Sequence, residues 1–279
     1  MPTTSIVSSA AGTIVDVDGD SRMIDVPLDE VFVSDDPAAY VASVWADGSR
    51  LAANELTPLP PIGTQEVWAA GVTYEVSRTA RMEESEAAAD VYERVYDAAR
   101  PELFFKANAR SVVGAEAAIR VRADSSWNVP EPELALAVSR SGRIFGVTVG
   151  NDVSSRSIEG ENPLYLPQAK IYDGACALGP RLVLTDDAGG WPAATSIRLT
   201  IERDAGVVFD DATTTARIRR PFSELAEYLC REMTFPVGAY LLTGAGLVPE
   251  APFTLLPGDV VSITIEGIGT LTNPVARPR

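Results

Sequence analysis

A chain of 279 residues, 46% hydrophobic and 22% charged, is long enough for one large domain with a sizeable core, or for a large domain with a small companion. Its formal charge of −16 repels phosphate backbones and anionic membrane surfaces, which argues against a nucleic-acid partner. The absence of histidine excludes Ser-His and Cys-His catalysis and imidazole ligation of zinc.

In chain order, residues 1–20 lack the basic region and continuous apolar core of a signal peptide, and no run of about 18 apolar residues follows, so a cytoplasmic protein is expected, with no membrane partner. Residues 1–65 read as short strands and turns, forming a small N-terminal domain that ends at the Pro-rich stretch 58–63. A catalytic domain of residues 66–279 begins with EVWAAGVTY, read as a buried strand. Residues 77–99, rich in Ala, Glu, Arg and Met without Pro or Gly, predict a helix that Arg100-Pro101 ends. From Leu103 onward, short β-like runs alternate with Gly, Pro, Asn and Asp; they include PELALAVS, RIFGVTVGND, TSIRLTIERD and GDVVSITIEG. A second helix is expected at 222–232, with Ser223 as its cap. Many strands and few helices predict a mainly β, α+β fold.

Cys176 and Cys230 belong to no CxxC pair and read as buried free thiols. Any metal site must therefore be built from oxygen, which favours Mg2+, with Mn2+ or Ca2+ as alternatives. Acids and bases must come from Glu, Asp, Lys or Tyr.

Residues 130–156 carry the sharpest expectation. If Ser141-Gly142 is a two-residue hairpin turn, residues whose numbers sum to 283 face each other. Val138 then faces Phe145, Leu136 faces Val147 and Leu134 faces Val149, all on a core side. The other side carries Ser139 with Ile144, Ala137 with Gly146, Ala135 with Thr148, Glu133 with Gly150, and Glu131 with Asp152. Three carboxylates converge there beside small residues that leave room for a ligand. Facing like charges repel, and a divalent cation would turn that repulsion into coordination. The bland alternative is the wet face of an ordinary hairpin.

These residues resemble the fumarylacetoacetate hydrolase family, whose Glu-x-Glu, Asp and Lys pattern is matched by Glu131, Glu133, Asp152 and Lys170, with LPGDVVSITIEGIGTLTNP as a similar closing signature. GVTYEVSR, VYDAARPELFFKA, SSWNVPEPELAL and ENPLYLPQAKIYDGACALGP resemble its 2-keto-3-deoxy sugar acid dehydratase branch. The resemblance implies a mixed β-roll, a homodimer, a small 2-oxo acid substrate, and Mg2+ on Glu131, Glu133 and Asp152. It makes Lys170 and Glu102 the acid/base pair, Glu102 on a lid, and offers Lys106, Arg156, Glu159 and Thr243 as substrate contacts. Family hydrolases use a His-Glu pair to activate water; without histidine, the chain fits dehydration better. Other family activities on 2-oxo acids, including isomerisation, decarboxylation and acylpyruvate hydrolysis, stay open, as does a non-catalytic binding protein on the same fold. GAGLVP at Gly244 lacks the third glycine and the βαβ setting of a dinucleotide loop.

Overall fold

The computed structural model describes residues 3–51, 58–75, 94–185, 191 and 194–277. Three antiparallel strands open the chain: β1 (Thr4–Ser9), β2 (Gly12–Val17) and β3 (Asp20–Ile24). Two helices then stand where the sequence reading has only strands and turns, α1 (Leu28–Val33) and α2 (Pro37–Asp47). The start of α2 has a local cause. The Asp36 side chain accepts from the Ala39 amide at 3.1 Å, and Pro37, whose ring presets a helical φ, opens the first turn.

The chain continues through β4 (Ser49–Arg50), β5 (Pro58–Leu59), β6 (Glu66–Gly71) and β7 (Glu102–Asn108). Of the helix expected at 77–99, residues 94–97 are helical, and 77–93 lie outside the described residues. Next come β8 (Val112–Val113), β9 (Ile119–Arg120), β10 (Asn128–Val129), β11 (Pro132–Val138), β12 (Ile144–Asp152) and β13 (Ser154–Ser155). Two short helices, α3 (Arg156–Glu161) and α4 (Leu166–Lys170), lead into β14 (Cys176–Leu184). The remainder is β15 (Ser196–Arg203), β16 (Gly206–Thr214), α5 (Phe222–Cys230), β17 (Ala239–Leu242), β18 (Val260–Ile265) and β19 (Gly269–Ala276). In α5, Pro221 is the capping position and makes no side-chain bond; Ser223 lies inside the first turn rather than capping it. No helix among the described residues is long and apolar enough to cross a membrane.

A 12-stranded sheet runs in the order β4-β3-β2-β1-β14-β12-β11-β17-β6-β7, with β5 on β1 and β8 on β14. Five strands, β16-β15-β18-β19-β9, make a second sheet. Because side chains alternate along a strand, the large sheet faces two cores. Leu134, Leu136, Val147 and Val149 pack with Ile197, Leu199, Val261 and Ile263 of the second sheet. On the other face, Ala135, Ala137, Phe145 and Tyr240 pack with Val31, Phe32 and Val41 of the first two helices. Each fully buried Leu or Ile here contributes about 1.5–3 kcal/mol relative to exposure. The fold is α+β and mainly β, and residues 4–50 add their strands to the same sheet that carries β11 and β12.

The hairpin departs from the simple sum rule at its tip. The Ser139 carbonyl accepts from Gly142 N at 2.9 Å, Ser139 N donates to the Arg143 carbonyl at 2.9 Å, and Gly142 has φ +80°. The loop is thus three residues, Arg140 to Gly142, with glycine in the left-handed position that closes such a loop. Val138 consequently pairs with Ile144, and Phe145 is an extra residue before Ala137 pairs with Gly146. The expected partnerships of Val138 with Phe145 and Ser139 with Ile144 fail. Phe145 turns to the opposite core, where its ring meets Phe32 edge-on at 4.8 Å. From Ala137 to Pro132 the pairing obeys the expected register.

Candidate metal centre and its cations

Beyond the paired strands the register continues: the Asp152 amide donates to the Glu131 carbonyl at 3.0 Å. One ligand oxygen from each of Glu131, Glu133 and Asp152 lies within 4.8 Å of the others, and the three residues are 5%, 1% and 1% exposed. Three buried carboxylates cannot all carry charge without compensation. Three cations answer two of them. Lys170 Nζ stands 2.8 Å from Glu131 Oε2 and 3.0 Å from Asp152 Oδ2. Arg156 Nη2 lies 3.0 Å from Glu131 Oε1, and Lys106 Nζ lies 2.5 Å from Asp152 Oδ1.

Glu133 has a different partner. Its Oε2 accepts from the Gly244 amide at 2.5 Å. Burial, followed by the charges of Asp152 and Glu131, pushes its carboxyl well above the usual carboxylate range. Asp152 moves the other way: burial alone would raise it, but the charges and hydrogen bonds of Lys106 and Lys170 outweigh burial and lower it. An all-oxygen donor set whose members repel one another is the chemistry a hard divalent cation relieves, so the residues present fit Mg2+.

The small residues expected to leave room for a ligand do otherwise. A Cβ at Gly150 would stand 2.3 Å from Leu242 Cδ2, and one at Gly146 would stand 2.8 Å from Leu182 Cδ1, so both glycines admit neighbouring core side chains. The cleft over the carboxylates is formed instead by Gly71, Val72, Phe104, Ala245 and Val248 together with Gly244. Arg156 and Lys170 also line it. Lys170 Nζ sits 5.8 Å from the centroid of the Phe104 ring, a reach at which a ring face attracts a cation.

The remaining predicted site residues fall in two places. Glu102 begins β7 opposite Gly71, and a Cβ on Gly71 would lie 2.0 Å from Glu102 Oε2. Its carboxylate therefore lies over the glycine at the cleft's edge, half-buried. Lys106, Glu159 and Thr243 are buried and do not line the cleft. Ser154 Oγ donates to Glu159 Oε2 at 3.0 Å. Thr243 Oγ1 donates to the Leu134 carbonyl at 2.9 Å, and the Thr243 carbonyl accepts from Thr73 Oγ1 at 2.6 Å. Gly244 is the site residue that sequence reading passed over. Its φ of +94° and a 2.0 Å approach of Thr73 Oγ1 to any Cβ there explain why glycine stands in a sequence otherwise considered only as a nucleotide loop. Both cysteines are free; Cys176 is buried, and burial pushes its thiol up to about 12, while Cys230 is only half-buried.

Comparison with known proteins places this geometry among relatives. A family model described as the C-terminal region of fumarylacetoacetate (FAA) hydrolase matches residues 67–276. A protein of Haloferax volcanii named probable 2-keto-3-deoxyxylonate dehydratase is 56% identical over 215 residues, covering 77% of this chain and 73% of that one. The 2-dehydro-3-deoxy-D-arabinonate dehydratase of Saccharolobus solfataricus is 44% identical over 229 residues, covering 81% and 76%. A solved structure described as 2-keto-3-deoxy-D-arabinonate dehydratase complexed with magnesium and 2,5-dioxopentanoate superposes with TM-score 0.85 at 35% identity, covering 100% of both chains.

Proposed function

The chain belongs to the fumarylacetoacetate hydrolase family, and from that premise we propose that it is a Mg2+-dependent hydro-lyase that dehydrates a 2-keto-3-deoxy sugar acid. The substrate we put first is 2-dehydro-3-deoxy-D-arabinonate, giving 2,5-dioxopentanoate and water, as the names of the similar proteins suggest. The observation that carries the reading is the meeting of Glu131, Glu133 and Asp152 at one buried hairpin end, with the Lys170 amine bridging two of them.

Glu131, Glu133 and Asp152 would hold the cation. When bound, it supplies Lewis-acid polarisation of the carboxylate and keto oxygens of a 2-oxo acid. Loss of a C3 proton and the C4 hydroxyl, together one water, leaves a C3=C4 bond. Loss of a C5 proton with protonation at C3 gives the C4=C5 enol, and transfer of its hydroxyl proton to C4 gives the aldehyde. Lys170 and Glu102 share these proton transfers in our reading. Lys170 reaches the cleft from the carboxylate side, while Glu102 approaches from the rim over Gly71. Arg156, already in the cleft, is our candidate for contact with the substrate's carboxylate. A cytoplasmic homodimer belongs to the same proposal, and sedimentation of the purified protein tests the assembly.

The deciding assay is a panel of 2-keto-3-deoxy acids run with and without Mg2+, scored for semialdehyde, beside an acylpyruvate scored for carbon–carbon cleavage. Semialdehyde that appears only with Mg2+ is the expected result. Acylpyruvate cleavage would replace this reading with hydrolysis, and silence with every 2-oxo acid would leave a binding protein. Glu102→Gln should cut turnover by about 10²–10⁴-fold while Mg2+ still binds; unchanged turnover removes Glu102 from the mechanism.

A further inference from the structure

Lys106 and Lys170 are the only lysines among the 23 basic residues of the chain; every other one is arginine. Both lie fully buried at the carboxylate cluster. The compact, three-donor ammonium thus occurs at this cluster alone, with arginine at every other basic position. Lys170 lines the cleft. Lys106 does not line the cleft, and its surroundings say what else it does.

Strand β7 carries one residue too many against β6: Val67 pairs with Ala107 and Trp68 with Phe105, so Lys106 is the bulged residue between them. A bulge re-aims a side chain, and this one enters the core beneath the metal ligands. The ammonium there forms an ion pair with Asp152 Oδ1 at 2.5 Å, and donates to the Val153 carbonyl at 3.0 Å and the Lys170 carbonyl at 2.5 Å. The last is a terminal carbonyl of α4, one of those a helix leaves without an internal partner. The contacts of Lys106 are with protein groups, and it does not line the cleft.

We propose that Lys106 is a positioning residue. It ties the metal ligand Asp152 to the helix end that presents Lys170, so the metal site and the proton-transferring amine are held at a fixed separation. This rests on the dehydratase reading for its consequence in catalysis, though not for its consequence in metal binding. It replaces substrate contact as the role of Lys106.

Lys106→Met keeps the side chain's length and removes its charge and donors. In the substrate-free protein, Mg2+ affinity measured by calorimetry should fall about 10–100-fold, as when partners that orient metal ligands are removed. At saturating Mg2+, kcat for the 2-keto-3-deoxy acid should fall at least about tenfold while KM stays within about twofold. Lys106→Arg should not rescue, because a planar guanidinium cannot meet acceptors arranged around a point charge. Unchanged Mg2+ affinity with a raised KM would overturn the proposal. Should the variant fail to fold, the wild type answers instead. Enzyme labelled with 15N at the lysine ζ position has only two such nitrogens, assigned by the loss of one signal in Lys170→Met. With Mg2+ present, pyruvate should move the Lys170 signal and leave that of Lys106 in place; an equal movement of both would overturn the proposal. If no 2-oxo acid is dehydrated, the affinity and resonance measurements still decide the role of Lys106.

Discussion

Two ion pairs of the same length sit in opposite settings. Lys106 Nζ and Asp152 Oδ1 are 2.5 Å apart with side chains 0% and 2% exposed, while Arg198 Nη2 and Asp210 Oδ2 are 2.5 Å apart with side chains 59% and 36% exposed. In both, a neighbouring cation favours the ionised carboxylate. For Asp210 the Arg198 hydrogen bond is the largest influence and outweighs desolvation. For Asp152 two lysines must first overcome burial. Water is the difference. On the outer surface of the small sheet solvent screens the pair and would hydrate either partner left alone, whereas at the hairpin end an abandoned charge has no such refuge.

The comparison is sharpest where a buried partner is removed. Asp152→Ala should lose Mg2+ binding and destabilise the protein by about 3–5 kcal/mol, since Lys106 and part of Lys170 lose their counter-charge; urea unfolding with and without Mg2+ measures both. A smaller loss, about 1–3 kcal/mol, is expected from Gly244→Ala, which forces a left-handed residue to carry a Cβ against Thr73 and disturbs the amide that holds Glu133. Weakened Mg2+ binding should accompany it.

The third expectation concerns pH. Glu133 binds its proton more tightly in the metal-free fold than in the unfolded chain, so its contribution to stability is present at low pH and is lost as pH rises through its raised value. Asp152 is lowered, so its contribution is present above the ordinary carboxylate range and is lost as pH falls through its lowered value. A cation needs Glu133 ionised. Mg2+ should therefore release a proton on binding, its affinity rising by up to about tenfold per pH unit below the raised value and levelling above it. Calorimetry in two buffers of different ionisation enthalpy detects the proton; equal heats would refute it. At the bottom of the scale, Arg198→Ala should move Tm by no more than about 2 °C. A large drop there would mean that exposure does not separate the two pairs.

Much of this site was legible because it is local in sequence. Glu131, Glu133 and Asp152 lie on one hairpin, and period-two alternation with a turn suffices to bring them together. What escaped was non-local or required an extra residue. The loop at Arg140 to Gly142 and the bulge at Phe145 change no composition signal, yet they rotate a ring from one core to the other. The roominess attributed to Gly146 and Gly150 is consumed by Leu182 and Leu242 from strands far along the chain. Gly244 reaches Glu133 across 111 positions, which no spacing rule reveals. Two local signals were also passed over: Asp36-Pro37 marks the start of α2 in a stretch read as strands and turns, and the scarcity of lysine stands in the composition.

The hairpin's place in the sheet has a kinetic consequence. Strands β11 and β12 are flanked on both sides, by β17 and by β14, whereas β7 ends the path. Backbone amides of the two inner strands should exchange with deuterium only when the whole protein opens, and those at the Glu102 end of β7, away from the buried Lys106, far sooner, by local fraying. The carboxylates would then ride on the slowest part of the molecule and Glu102 on one of its quickest margins, so that the rim can breathe for substrate to pass while the cation's seat stays still.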